Sequence, residues 1–217
     1  MIEVSHPLQG SAPTVVATTT PRPRRLVIYL HGWRTTGKRD VERYALSDRV
    51  QAGDVLVAPT AASRSRFGSF ERDIIGAAQE ALTAAGVPLP TATVIVAYSG
   101  AYSAASKALD DPRLSGVALL DATYGRGDEF EAALDRGLPM YVTTSHRSED
   151  TQSIAKRLEA RGAVADLKAP HNHDQIVPHM FERALSALRT PPGGGLAAAV
   201  VVTSLVVALL IASPWRG

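Results

Sequence analysis

The chain has 217 residues, enough for one α/β domain with a substantial core and short appendages. Its 23 lysines and arginines stand against 21 aspartates and glutamates, a net charge of +2, and the arginines are scattered among acidic residues, which argues against a nucleic-acid-binding surface. Cysteine is absent, which excludes disulfides, thiolate metal sites and a cysteine nucleophile.

The opening segment, MIEVSHPLQGSAPTVVATTT, carries an early glutamate and no compact apolar run, so it reads poorly as a secretory signal. Alternation at Ile2/Val4 and Val15/Val16 predicts a marginal edge hairpin before the Pro21-Arg22-Pro23-Arg24-Arg25 stop; residues 1–25 are read as an N-terminal extension or hairpin. Leu26 to Leu30 (LVIYL) predicts the first buried strand and runs straight into His31-Gly32-Trp33. Arg34 to Lys38 reads as a polar loop, and Asp40 to Val50 as a helix with Val41, Tyr44, Ala45 and Val50 near one face. Asp54 to Pro59 is the next strand. The loop Thr60 to Gly68 is expected at strand ends where open α/β sheets bind ligands, with Arg64 and Arg66 either meeting an anionic substrate or simply solvated. Ser69 to Ala85 predicts a helix that presents Ile74, Ile75, Ala78, Ala81 and Leu82 to the sheet and stops at Gly86.

The stretch Val94 to Ala104 (VIVAYSGAYSA) organises the rest. Val94 to Ala97 has no polar alternation, as expected of a strand covered on both faces. The small residues Ala97, Gly100 and Ala101 let strand and helix approach closely and place Ser99 on a sharp turn with its hydroxyl exposed. A helix over Ala104 to Leu109 would begin just beyond it and favour a developing negative charge. The plainer reading of Ser99 is a capping serine at a strand–turn–helix junction.

Val117 to Leu120 is a further buried strand that ends in Asp121. That carboxylate either orients a histidine or caps its own turn. A short helix over Asp128 to Arg136, a strand over Pro139 to Thr144, the exit loop Ser145 to Asp150, a helix over Thr151 to Arg161 and a short strand over Ala165 to Lys168 follow. Three of the six histidines then fall in one loop-to-helix segment, as His171, His173 and His179. Clustered in H-x-H-D, they invite either general-base or metal-ligand chemistry; no second cluster of convincing spacing accompanies them.

Strand-His31-Gly32, strand-Ser99-helix, strand-Asp121 and strand-His173-helix, in that order, resemble the α/β-hydrolase superfamily over roughly Leu26 to Leu188. Ala97-Tyr98-Ser99-Gly100-Ala101 stands where that superfamily writes G-x-S-x-G, with alanine at both outer positions. The resemblance implies a doubly wound, mostly parallel sheet flanked by helices over residues 26–190, without an insertion long enough for a lid. It implies Ser99 as nucleophile, His173 as general base with His171 in reserve, and Asp121 as the acid in competition with Glu149 and Asp150. The backbone amides of Trp33 and Gly100 would form the oxyanion hole, with His31 a structural loop former. The implied activity is hydrolysis of a small-molecule carboxylic ester or related acyl substrate through an acyl-enzyme, without cofactor or metal. The alternative is an inactive hydrolase-fold binding or scaffold protein tethered to a membrane.

That tether would come from the tail. Residues 191–195 (PPGGG) read as a flexible linker, and Leu196 to Ala212 (LAAAVVVTSLVVALLIA) carries no charge, which predicts a C-terminal transmembrane helix at the short end of the usual span. Trp215 and Arg216 suit an interface. The simplest topology is a tail anchor with the hydrolase domain in the cytoplasm.

Overall fold

A computed structural model of the chain describes residues 2–4, 14–61, 73–145, 149–167, 169 and 171–189. Among the described residues eight strands form one sheet: β1 (Ile2–Val4), β2 (Thr14–Thr18), β3 (Arg25–Leu30), β4 (Asp54–Ala58), β5 (Ala92–Tyr98), β6 (Leu114–Leu120), β7 (Met140–Thr143) and β8 (Val164–Asp166), in the order β1-β2-β4-β3-β5-β6-β7-β8. β2 pairs antiparallel with both β1 and β4, and every pairing from β4 across to β8 is parallel. The described helices are α1 (Gly37–Arg43), α2 (Leu46–Arg49), α3 (Ile74–Ala84), α4 (Tyr102–Ala105), α5 (Gly127–Asp135), α6 (Glu149–Ala160) and α7 (His173–Ala187).

The unalternating apolar strands have a direct cause, since both faces of the sheet are covered. Leu26, Ile28, Leu30, Ile95, Ala97, Val117 and Leu119 pack beneath α3, α4, α5 and α6. Val27, Tyr29, Val94, Val96, Ala118 and Leu120 face α1, α2 and α7 on the other side. Successive side chains of each strand therefore enter opposite layers, and each fully buried Val, Leu or Ile contributes about 1.5–3 kcal/mol.

Two expected helices come out differently. Asp40 to Val50 is not one helix: α1 starts earlier, capped by Thr36, whose hydroxyl accepts from the Arg39 amide, and the chain breaks at Ala45 with φ 49° before α2 begins. Burial of Asp40 draws α1 in, because its carboxylate accepts hydrogen bonds from Tyr29 (2.9 Å) and Thr35 (2.6 Å). Gly37 is required at the start of α1, where a Cβ would run into the Ala58 carbonyl at the end of β4. After Ser99 the helical run begins earlier than expected and changes type: a 3-10 turn (Ser99–Ala101), the four-residue α4 and a second 3-10 turn (Ser106–Ala108) follow one another without a break.

At the far end of the sheet, Arg25 clamps α7. Its guanidinium forks onto Asp54 at 2.9 and 2.7 Å and donates to the carbonyls of Leu185 (2.9 Å) and Leu188 (3.2 Å), which satisfies acceptors that the helix leaves open at its C-terminus. The opposite, N-terminal end of α7 is thereby held over the carboxyl ends of the parallel strands. There β3, β5, β6 and β7 deliver His31, Ser99, Asp121 and Ser145 to one edge of the sheet. Among the described residues no helix is long and apolar enough to cross a membrane. The loop carrying Arg64 and Arg66, the linker 191–195 and the apolar run 196–212 lie outside the described residues.

Candidate active site

Ser99 leaves β5 with φ 55°, a left-handed conformation that costs a non-glycine residue on the order of 1–2 kcal/mol and holds only where the surroundings dictate it. The flanking alanines do not obstruct the turn. Ala97 and Ala101 are fully buried in the layer beneath α3 and α4, so their methyl groups fill core and not the turn itself. The loop after β3 closes the other side: a Cβ on Gly32 would lie 2.9 Å from the Tyr98 ring and 3.1 Å from Ser99 Cβ, so only glycine allows this approach.

His31 sets that loop. Its Nδ1 lies 2.7 Å from the Gly32 carbonyl, which can only accept, and its Nε2 lies 2.8 Å from the Ala61 amide, which can only donate. Those partners fix the Nδ1–H tautomer of a neutral imidazole. Burial is the larger influence on its protonation and, despite the Gly32 carbonyl, lowers its pKa to about 4. The ring fastens the 31–33 loop to the exit of β4. Beyond it, the Trp33 side chain is 56% exposed, with the Arg34 guanidinium 5.8 Å above its ring.

Asp121 also turns out of its strand with positive φ (47°), while its amide still bonds the Thr143 carbonyl of β7 at 2.8 Å. Its buried carboxylate meets three donors. Oδ2 lies 2.5 Å from His173 Nδ1 and accepts from the Ser145 hydroxyl at 2.6 Å; Oδ1 accepts from the Ser145 amide at 3.0 Å. Burial pushes the Asp121 carboxyl up, but the hydrogen bonds from His173 and from the side chain and amide of Ser145 outweigh it and hold the group below the ordinary carboxylate range. Asp121 is thus an ionised acceptor at neutral pH.

His173 is the first residue of α7, behind a capping box in which Asn172 accepts from the Gln175 amide while the Gln175 side chain accepts from the Asn172 amide. Its ring stacks on Tyr98 with centroids 4.9 Å apart and planes at 28°, and the Tyr98 hydroxyl donates to the His173 carbonyl at 3.1 Å. Tyr124 stands edge-on to the same ring, 6.4 Å between centroids with its hydroxyl 3.5 Å from Nδ1, and packs against Tyr102. Burial, then the Asp121 charge, push its phenol up to about 12, so it stays neutral. With Nδ1–H turned to Asp121, Nε2 is the basic atom. Among the described residues the Ser99 hydroxyl makes no hydrogen bond to His173.

The remaining sequence candidates separate. His171 stacks on His179 at 3.9 Å with nearly parallel planes (6°), apart from the Asp121 pairing. Glu149 and Asp150 begin α6, and their side chains lie outside the described residues. Among the described residues no three His, Asp or Glu side chains gather as a metal-ligand set. Ser145 and Tyr98 are the partners that sequence reasoning passed over. The parallel register is the signal for Ser145, because the ends of adjacent strands β6 and β7 stand side by side.

No family model matches the chain, and no curated protein matches it. Solved structures do. FphF, a fluorophosphonate-binding serine hydrolase of Staphylococcus aureus, superposes with a TM-score of 0.61 at 13% identity over 87% of this chain and 97% of its own. Mycobacterium tuberculosis MPT51 (FbpC1) gives 0.59 at 12% identity over 87% and 98%. A dienelactone hydrolase from Anabaena variabilis gives 0.53 at 15% identity over 86% and 93%. The chain has the α/β-hydrolase fold.

Proposed function

We propose that the chain is a serine hydrolase that cleaves carboxylic esters or related acyl substrates through Ser99, His173 and Asp121. The observation that carries this reading is the 2.5 Å contact of His173 Nδ1 with the buried Asp121 carboxylate, made by a ring stacked on the residue that precedes the positive-φ Ser99. Ser99 Oγ attacks the acyl carbonyl carbon and passes its proton to His173 Nε2, while Asp121 stabilises the imidazolium. The oxyanion is held by the backbone N–H groups of Gly100 and Trp33. Collapse breaks the bond to the leaving oxygen, which takes the proton from Nε2. Water, deprotonated by the same nitrogen, then attacks the acyl carbonyl carbon; the acyl C–Oγ bond breaks as Oγ takes that proton from Nε2, which releases the acid and restores Ser99. Hydrolysis is consistent with the serine hydrolase and dienelactone hydrolase among the structures this chain resembles.

One observation favours the second reading, an inactive scaffold on the same fold: the link between Ser99 and His173 is open. Open catalytic hydrogen bonds are also common in unliganded sites. The test is a screen of p-nitrophenyl esters from acetate to octanoate with intact-mass analysis of quenched reactions. Pre-steady-state release of nitrophenol and an acyl adduct on the peptide bearing Ser99 are expected, both lost in Ser99→Ala. A folded protein with neither is a scaffold.

For location, the uncharged run 196–212 supports tethering of this activity to a membrane. Carbonate extraction of the full chain beside a version ending at Thr190 tests the tether; retention of the full chain alone is expected, and equal solubility of both refutes it.

A further inference from the structure

Beside the acid–base pair described above, one buried serine touches only its carboxylate. Ser145 lies just past the end of β7, is 4% exposed, and spends both its donors on Asp121. We propose that Ser145 is a positioning residue, whose hydroxyl and amide together fix the plane of the Asp121 carboxylate so that Oδ2 faces His173 Nδ1. This rests on the reading of Asp121 and His173 as the acid and base of the site.

The geometry supports this in two ways. First, a carboxylate is free to rotate about Cβ–Cγ unless both oxygens are held, and Ser145 holds both: its amide takes Oδ1 at 3.0 Å and its hydroxyl takes Oδ2 at 2.6 Å. Two bonds from a single residue to different oxygens define the plane, and the third donor, His173 Nδ1–H, then meets Oδ2 in a set direction. Second, the backbone leaves Ser145 little room to drift. The Asp121 amide bonds the Thr143 carbonyl, Leu120 pairs with Thr143 in the β6–β7 ladder, and Ser145 follows two residues on. With Asp121 only 1% exposed, removal of the hydroxyl leaves Oδ2 with a single donor and the carboxylate with a freer hinge. A serine that only filled space at the end of β7 would have no bearing on the direction of the His173 N–H bond.

The test compares the full chain with Ser145→Ala, which keeps the amide and removes the hydroxyl, by two readouts. The first is turnover of p-nitrophenyl butyrate. We expect kcat to fall by about ten- to a hundredfold with KM within about twofold, the pattern of a lost orienting partner. The second is the low-field proton resonance of the His173 Nδ1–H···Oδ2 bond, which needs no substrate; in Ser145→Ala it should move or broaden while the circular dichroism of the fold is unchanged. Loss of kcat with an unmoved resonance overturns the proposal, as does a moved resonance with unchanged kcat or no change in either. Should the wild-type chain turn over no ester, the hydrolase reading fails, and the resonance alone decides whether Ser145 sets the geometry of the pair.

Discussion

Two histidines stand at the same edge of this sheet, and their surroundings give them opposite chemistry. His31 is buried, with both ring nitrogens committed to backbone groups, and its pKa is lowered to about 4. It is a neutral bracket between two loops. His173 keeps a third of its side chain exposed, commits only Nδ1, and commits it to an ionised carboxylate. Its ring lies on Tyr98, the residue before Ser99. In the proposed hydrolase, the partners of the ring nitrogens separate the structural histidine from the general base.

The contrast is broken most severely at Asp121. Asp121→Asn places an amide where Ser145 and His173 both donate, so one donor faces another or His173 adopts the wrong tautomer. Ester turnover should fall roughly a thousand- to ten-thousandfold with the fold retained, as read by kcat beside thermal unfolding. Loss of less than tenfold would remove Asp121 from the acid role.

A smaller effect is expected at His31, and on stability instead of chemistry. Its folded value of about 4 lies below the ordinary 6.5, so the folded state binds fewer protons than the unfolded chain. The stability from this group is complete above about pH 6.5 and declines as the pH falls toward 4, by up to about 3 kcal/mol. His31→Asn keeps a donor for the Gly32 carbonyl but cannot titrate. Urea unfolding at a series of pH values should show the wild type losing more stability than the variant across that window; parallel curves would show that His31 does not titrate as its burial requires.

Gly32→Ala probes the close approach between the two regions. The added methyl must displace Tyr98 or Ser99, for an expected cost of about 1–2 kcal/mol in stability and about tenfold in kcat/KM. Full activity in this variant would mean that the 31–33 loop does not define the site.

Much of this arrangement was legible in the chain itself. β3, β5 and β6 announce themselves because a strand covered on both faces needs no polar alternation, and the residues at their ends, among them Asp121 just beyond β6, follow from chain order alone. What sequence could not supply were the consequences of packing. Asp40 reads as the first residue of a helix over Asp40 to Val50, yet Tyr29 and Thr35 hold its carboxylate inside and the chain breaks at Ala45. The alanines after Ser99 read as a helix over Ala104 to Leu109, whereas the helical run starts at Ser99 itself and alternates 3-10 and α geometry. Ser145 reads as the first residue of an exit loop, and only the β6–β7 register reveals it beside Asp121.

The most direct test of the account is the rate of fluorophosphonate labelling of the folded chain, measured side by side for the wild type, Ser99→Ala, His173→Ala and His31→Asn. Rapid labelling is expected, abolished without Ser99, reduced by orders of magnitude without His173, and persisting in His31→Asn at neutral pH. Labelling that survives loss of His173 but not of His31, or a folded wild type that takes no label, would contradict it.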